Sequence, residues 1–161
     1  MPFNPEVTVA AIVERDARYL LVEERIAGQL VLNQPAGHLE DRETLLAAVV
    51  REAREETAWQ FVPTALVGTY LWRNPDTDRT FLRFAFCGTV EDFRAGQPLD
   101  TGIVRTVWLS REQILNQQAR LRSPLVLRCI DDYLLGRRQS LDSVAALDLD
   151  SAPRVDSVVN L

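Results

Sequence analysis

Three glutamates, Glu52, Glu55 and Glu56, lie close together in the stretch REAREET. On a helix, side chains three and four residues apart share a face, so these carboxylates would lie within an arc of roughly 100°. Carboxylate oxygens are the ligands that Mg²⁺ and Mn²⁺ prefer, and such cations bridge proteins to substrate phosphates. The spacing therefore indicates a divalent-cation site for phosphate chemistry. A solvated face of paired glutamates and arginines is the commoner meaning of such a stretch.

The preceding residues predict the helix that carries this cluster. Asp41 is the predicted N-cap and Glu43 would lie in the first turn. Apolar residues then recur at helical spacing, at Leu46, Val49, Val50 and Ala53. The glutamates fall in the last turns, where the helix dipole disfavours each carboxylate by about 0.3 to 1 kcal/mol. Arg51 can pair with Glu55, but exposed pairs of this kind contribute little, so a bound cation would provide the missing positive charge.

The composition excludes several other chemistries. All 18 basic residues are arginines, which excludes a P-loop lysine and a lysine Schiff base. A net charge of −5 argues against a nucleic-acid polymer as partner, because phosphate-backbone contacts need a basic surface. One histidine and no paired cysteines fit zinc poorly, and no acidic loop has EF-hand spacing. Since no apolar run is long enough to span a bilayer, we expect a cytoplasmic protein without membrane contact.

Strand signals place the cluster in a mixed α/β unit. β-branched and apolar runs predict an opening antiparallel hairpin and further strands, over residues 7–13, 19–23, 30–32, 64–72, 80–90 and 103–109. Pro35 and Gly37 predict a loop before the helix. We see no internal repeat, so the chemistry must lie on this one unit.

Helix signals predict two further helices and a domain boundary. Ser110 would cap a short helix, while Ser123, Pro124 and Gly136 would be the N-cap, the first residue and the end of a longer one. The periodicity then becomes poor. We therefore expect one domain over residues 1–138 and a loosely docked or mobile tail over residues 139–161.

The stretch around the glutamates resembles the Nudix box, in which fixed spacings separate a glycine, a glutamate, an Arg-Glu pair, two adjacent glutamates and a bulky apolar residue. The matching positions are Gly37, Glu43, Arg51, Glu52, Glu55, Glu56 and Trp59. Two positions differ, since Ala53 is smaller than the usual aliphatic residue and Ala58 replaces the second glycine. The resemblance implies a Nudix α/β/α sandwich with a mixed β-sheet between helices.

The resemblance also implies roles for residues of the box. The ligands of Mg²⁺ or Mn²⁺ would be Glu52, Glu55, Glu56 and the Gly37 carbonyl. Arg51 would orient the glutamates, and Glu43 would support the site. Glu55 is our candidate for the base that accepts a proton from the attacking water. A base from a loop is the alternative, and the candidates are Glu91, Asp92 and Asp100.

Side chains outside the cluster are candidates for substrate contacts. His38 could contact a phosphate or a base, or could only pack or cap its loop. Gln34, in the loop that enters the box, could touch the substrate. Arg83 interrupts an apolar strand and could hold a phosphate through two hydrogen bonds or form a salt bridge. Tyr70 and Trp72 could stack on a nucleobase, although aromatic residues in strands are more often in the core.

The resemblance implies an enzyme that hydrolyses phosphoanhydride bonds in nucleoside tri- and diphosphates and related pyrophosphates, including hydroxymethylpyrimidine pyrophosphate, a thiamine precursor. Pro75, downstream of the box, suggests ADP-ribose pyrophosphatase as an alternative. A nucleotide-binding module without catalysis is the alternative from another class, and the complete set of box carboxylates argues against it. The expected partner is a small phosphorylated molecule, and the protein would be a monomer or a homodimer.

Overall fold

A computed structural model describes residues 2–149 of the chain. Its strands are β1 (Glu6–Arg15), β2 (Arg18–Ile26), β3 (Gln29–Asn33), β4 (Ala36–His38), β5 (Gln60–Arg73), β6 (Thr80–Glu91) and β7 (Ile103–Leu109). Its α-helices are α1 (Leu45–Thr57), α2 (Arg111–Asn116) and α3 (Leu125–Leu134), with short 3₁₀ turns at Gln118–Arg120 and Leu141–Ser143. Within these residues, no helix has the length and apolar character that a bilayer crossing requires.

The strands form one mixed sheet with the order β3-β2-β1-β6-β5, to which β4 adds at β1 and β7 at β2. β1 runs parallel to β6 and antiparallel to β2 and β4. The turn between β1 and β2 places Asp16 and Ala17 at φ values of 52° and 58°. Tight hairpins need such positive φ values because they match the twist of the strands. The predicted opening hairpin is confirmed.

β1 is buried on both faces because helices cover both sides of the sheet. Val9, Ala11 and Val13 lie in the core beneath α1, whereas Ala10 and Ile12 lie in the core beneath α3. Successive side chains of a strand point to opposite faces, so a strand between two helical layers is apolar throughout. The predicted α/β/α sandwich with a mixed sheet is confirmed.

The helix that carries the glutamates begins later than predicted. Thr44 is its N-cap, with an extended backbone and a side-chain oxygen that accepts a hydrogen bond from the Ala47 amide at 3.0 Å. The prediction of Asp41 as N-cap is therefore wrong, and Glu43 precedes the helix instead of lying in its first turn. Thr44 is itself a preferred capping residue. Outside the helix, the Glu43 side chain can reach Arg51, which accounts for its position.

Other boundaries show where local signals were sufficient. Ser110 forms a capping box with Gln113, and Gly136 follows the end of α3 with φ 80°, so both predictions are confirmed. α3 begins one residue later than predicted, with Pro124 as N-cap, although the Ser123 hydroxyl still accepts a hydrogen bond from the Leu125 amide at 3.2 Å.

Pairing with distant strands changed two predictions. Residues 36–38, within the predicted loop, form β4 because they pair with β1. β5 begins at Gln60 instead of residue 64, since its first residues pair with the end of β6. Pro35 and Gly37 are typical of turns, and Pro63 lies near the start of β5, so neighbouring residues alone do not reveal these strand pairings.

The first residues of the predicted tail are docked on the domain. Gln139 and Leu66 exchange two backbone hydrogen bonds of 2.8 and 2.9 Å, and Leu141 and Val144 pack against the core beneath α1. Residues 150–161 of the predicted tail lie outside the described range. The division at residue 138 stays a prediction.

Glu23 is a buried carboxylate that ties β2 to its neighbours. It is 5% exposed, and it accepts hydrogen bonds from Arg105 at 2.6 Å and Arg120 at 2.9 Å. The bond from Arg105 lowers the pKa of Glu23, against the opposing effect of burial. This ion pair therefore links β2 to β7 and to the 3₁₀ turn before α3.

Replacing Ala58 by glycine should stabilise the protein by about 1 kcal/mol, because Ala58 caps α1 in the left-handed region with φ 63°. Urea unfolding followed by circular dichroism measures the change. Ala47→Gly inside the same helix is the matched control and should destabilise by about 1 kcal/mol. Equal destabilisation by both variants would contradict the prediction.

Replacing Glu23 by glutamine should lower the free energy of unfolding by about 1 to 3 kcal/mol at neutral pH. Because the folded-state pKa of Glu23 is lowered, its contribution is present above the ordinary value of 4.5 and is lost as the pH falls through the folded value. Urea unfolding from pH 7 to pH 3 should therefore show the wild type and Glu23→Gln converging on acidification. The exposed Glu91→Gln variant should have the same free energy of unfolding as the wild type at each pH. The prediction is contradicted if the difference between Glu23→Gln and the wild type stays constant from pH 7 to pH 3.

Candidate active site

A cleft of about 340 Å³ lies beside β4. Its lining includes residues that the sequence singled out, namely Gly37, His38, Glu52, Glu56, Trp72 and Arg83. It also includes residues that the sequence did not single out as candidates for the site, namely Thr8, Glu24, Asn33, Ala36, Glu40, Asn74, Phe81, Arg122, Ser123 and Leu125. The cleft therefore combines carboxylates, arginines and aromatic rings contributed by both helical layers and by the sheet between them.

Arg51 organises the acidic side of this cleft. Its guanidinium donates to the two carboxylate oxygens of Glu43 at 2.7 and 3.0 Å, to Glu52 at 2.8 Å and to Glu55 at 3.3 Å. It also donates to the His38 carbonyl at 3.0 Å. The hydrogen bonds to Glu43 and Glu52 raise the pKa of Arg51. Burial acts to raise the pKa of Glu43, but hydrogen bonding and the charge of Arg51 together outweigh it, so the pKa of Glu43 is lowered. One guanidinium thus holds three carboxylates, including the predicted partner Glu55.

Glu52 and Glu56 are buried carboxyl groups, each 8% exposed. Burial raises the pKa of Glu52, and Arg51 opposes this effect. Burial raises the pKa of Glu56 to about 9, although the Ala36 amide donates a hydrogen bond to its carboxylate at 3.1 Å. Glu56 would therefore hold a proton at neutral pH unless further positive charge lies close to it. A hard dication meets that requirement.

A loop acid joins two of these glutamates. Glu52, Glu55 and Asp100 bring one carboxylate oxygen each within 4.8 Å of one another. Asp100 is exposed, and its backbone amide donates to the Glu55 carbonyl at 3.0 Å. Of the loop acids considered as bases, Asp100 lies in this cluster, whereas Glu91 ends β6 and Asp92 directly follows it.

Gly37 lies where β4 meets the end of α1. A Cβ at this position would overlap the Glu52 carboxylate, so a glycine is required for the backbone to lie this close. Pairing with Val9 of β1 holds the Gly37 backbone in place. The role of its carbonyl as a metal ligand stays a prediction.

His38 lines the cleft with a side chain that is 60% exposed. Its Nε2 lies 2.6 Å from a carboxylate oxygen of Glu6, and Arg79 donates to both oxygens of the same carboxylate at 2.5 and 2.6 Å. These contacts attach His38 to the rim. Substrate contact by His38 stays a prediction.

Arg83 lies in the cleft as a buried guanidinium. The described residues pair no carboxylate with it, so the salt bridge considered as its alternative role is not found among them. It donates instead to the side-chain oxygens of Gln34 at 3.2 Å and Asn33 at 3.4 Å. Gln34 is 1% exposed and also donates to the Val126 carbonyl at 2.8 Å. The Gln34 amide therefore positions Arg83, and substrate contact by Gln34 stays a prediction.

Two aromatic residues line the cleft near Arg83. The rings of Trp72 and Phe81 stack with centroids 5.8 Å apart and planes at 23°. Trp72 therefore remains a candidate for contact with a planar group. Tyr70 is 9% exposed and donates its hydroxyl hydrogen to Asp132 at 2.9 Å, so its expected place in the core is confirmed.

Sequence reasoning did not find Asn33, Arg122 and Ser123 as cleft residues, and it recognised Ser123 only as a helix cap. These residues meet because the end of β3 contacts the beginning of α3, where the hydrogen bond from Gln34 to Val126 joins residues 92 positions apart. One indication in the sequence was that Asn33 lies close to the predicted loop of Pro35 and Gly37.

Known proteins share both the sequence and the fold. The model of the NUDIX domain matches residues 4–128. The proteins named phosphatase NudJ from Escherichia coli K12 and from Shigella flexneri are 43% identical over 142 residues, which cover 88% of this chain and 92% of each relative. A solved structure of a NUDIX hydrolase from Nitrosomonas europaea is 48% identical, with a TM-score of 0.88 over 90% of this chain and 99% of that one. The extent of these matches, together with the acidic cluster at the end of α1, shows that the chain belongs to the Nudix family of hydrolases.

Proposed function

We propose that this Nudix hydrolase cleaves phosphoanhydride bonds in small phosphorylated molecules with the help of Mg²⁺ or Mn²⁺. The candidate substrates are nucleoside tri- and diphosphates and related pyrophosphates, including hydroxymethylpyrimidine pyrophosphate. The observation that carries the proposal is the convergence of the Glu52, Glu55 and Asp100 carboxylates within 4.8 Å beside a cleft that also holds Arg83. Its relatives named phosphatase NudJ support it. The proposal includes a cytoplasmic location.

The donors around the end of α1 fit a hard divalent cation. They are oxygens only, and the Gly37 backbone lies against the Glu52 carboxylate. Glu52, Glu55, Glu56 and the Gly37 carbonyl would hold the cation, and the contact found for Asp100 adds this residue to the proposed set. When bound, Mg²⁺ or Mn²⁺ neutralises phosphate oxygens and lowers the pKa of a coordinated water.

Side chains of the protein would position the carboxylates and accept the proton. Arg51 holds Glu52 and Glu55 in place, and Glu43 holds Arg51 through two hydrogen bonds. Glu55 is the proposed base that accepts a proton from the attacking water, because its side chain is 40% exposed and can reach solvent. Asp100 is the alternative base because its carboxylate lies in the same cluster.

The other end of the cleft would contact the substrate. Arg83 would donate to phosphate oxygens, and His38 would contact the substrate from the rim. Trp72 and Phe81 would offer a ring face to a planar group such as a base. Pro75, which suggested ADP-ribose, lies in the turn between β5 and β6, where turn geometry alone explains a proline, and ADP-ribose pyrophosphatase activity stays the alternative.

Replacing Glu55 or Glu56 by glutamine should lower turnover by roughly 10²-fold or more, since each change removes a carboxylate charge without a change of shape. Release of inorganic phosphate, pyrophosphate and nucleoside monophosphate from a panel of nucleotides with Mg²⁺ provides the measurement. Asp100→Asn, assayed in parallel, tests the alternative base.

Glu112→Gln is the matched control, because Glu112 is exposed on α2 outside the cluster, and it should keep wild-type turnover. If both Glu55→Gln and Glu56→Gln release phosphate at the wild-type rate, the assignment of roles is wrong. A protein that is stabilised by nucleotides against heat but forms no product with any of them would instead be a binding module.

Replacing Gly37 by alanine should lower kcat by roughly 10- to 100-fold, because the added Cβ displaces the Glu52 carboxylate. Steady-state kinetics with Mg²⁺ measure the change, and circular dichroism shows whether the fold is kept. Gly28→Ala has open space around its Cβ and should cost stability while leaving kcat unchanged. An unchanged kcat in a folded Gly37→Ala variant would remove Gly37 from the site.

A further inference from the structure

Arg83 is a buried cation whose hydrogen-bonding capacity is only partly used. Its exposure is 6%, and two of its nitrogens donate to the neutral side-chain oxygens of Gln34 and Asn33. No described group accepts a hydrogen bond from its Nε. Neutral amide oxygens orient a guanidinium but do not cancel its charge, and Glu56 acts on Arg83 electrostatically without forming an ion pair, so the buried charge is only partly compensated. An anion in the cleft would balance it.

Further positive charge converges on the same part of the cleft. Arg122 lines it with an exposed side chain and lies close enough to act electrostatically on Arg83. Ser123 and Leu125 line it at the N-terminal end of α3, a helix of ten residues. The N-terminal end of a helix carries partial positive charge and attracts anions. Pro124 has no N–H and the Leu125 amide already donates to Ser123, so α3 contributes through its dipole, and this partial charge adds to that of the buried guanidinium.

The aromatic pair lies next to this positive region. Phe81 is two residues before Arg83 on β6, so both side chains leave the same face of the sheet, and Trp72 pairs with Phe81 on β5. A planar ring stacked there would lie next to Arg83 in the same cleft.

We infer that Arg83, Arg122 and the N-terminal end of α3 form a second anion subsite, which holds a phosphoryl group of the substrate without a divalent cation. The inference rests on the proposed function for its substrate. A phosphoryl group beside the α1 glutamates needs a metal, because carboxylates repel it, whereas one beside Arg83 does not. A substrate that uses both places must carry at least two phosphoryl groups, so the subsite selects diphosphates and triphosphates over monophosphates.

Titration calorimetry of the full chain with inorganic pyrophosphate, in buffer containing EDTA, tests this subsite. The wild type should bind pyrophosphate, and Arg122→Gln and Arg83→Met should each weaken binding by about tenfold or more, as expected for the loss of a charge-assisted hydrogen bond. Arg122 is exposed, so its variant should keep the fold. Circular dichroism checks the fold of Arg83→Met.

Arg94→Gln is the matched control, because Arg94 is also exposed and its replacement changes the net charge equally, outside the cleft. It should bind pyrophosphate as the wild type does. The subsite is refuted if the wild type fails to bind pyrophosphate in EDTA, if Arg122→Gln and folded Arg83→Met bind as tightly as the wild type, or if Arg94→Gln loses as much affinity as they do.

Glu55→Gln separates the subsite from the proposed function. It should lose turnover with Mg²⁺ but still bind pyrophosphate in EDTA, since the subsite does not include this carboxylate. Binding in EDTA by a wild type that cleaves no phosphoanhydride with Mg²⁺ would refute the proposed function and leave the subsite standing. A wild type that cleaves phosphoanhydrides with Mg²⁺ but does not bind pyrophosphate in EDTA would refute the subsite and leave the proposed function standing.

Discussion

Negative charge buried at the C-terminal end of α1 is the constraint on which the site depends. Glu52 and Glu56 lie where burial and the helix dipole both disfavour a carboxylate, and Arg51 is the positive charge in contact with this group. Arg51 must serve Glu43, Glu52 and Glu55 together, so it orients the carboxylates without neutralising all of them. The fold tolerates this because α1 is fixed by its apolar face on β1 and by its caps at both ends. The carboxylate charge that Arg51 does not neutralise is the physical basis for a cation site.

The cleft has two ends of opposite character. Glutamates gather on the α1 side, whereas Arg83, Arg122 and the beginning of α3 are positive. A chain of phosphoryl groups suits such an arrangement when cations cover the acidic end, because its oxygens then meet positive charge along their length. The sheet makes this possible, since Gly37 on β4 and Arg83 on β6 are both held in register by β1.

Local patterns predicted the parts of the fold that are built from near neighbours. The apolar spacing of α1, the capping box at Ser110 and the stop at Gly136 all depend on residues a few positions apart, and these predictions are confirmed. Asp41 failed as N-cap because Thr44, three residues later, offered the same chemistry, and only the packing of α1 decides between two adequate caps. β4 was missed because its hydrogen bonds go to β1, about which its own turn-forming residues carry no information.

The spacing of the box residues by itself determined that Glu52, Glu55 and Glu56 would share one helix end, because helical geometry converts sequence distance directly into direction. The resemblance to the Nudix box likewise implied helices on both faces of the sheet, and the burial of β1 on both faces agrees with this. Only the tertiary structure decided that Asp100 lies with the glutamates and that the Gln34 side chain accepts a hydrogen bond from Arg83. It also decided that Arg83 has no carboxylate partner among the described residues. These outcomes depend on contacts between residues far apart in the chain, and such contacts are selected by the packing of the whole domain.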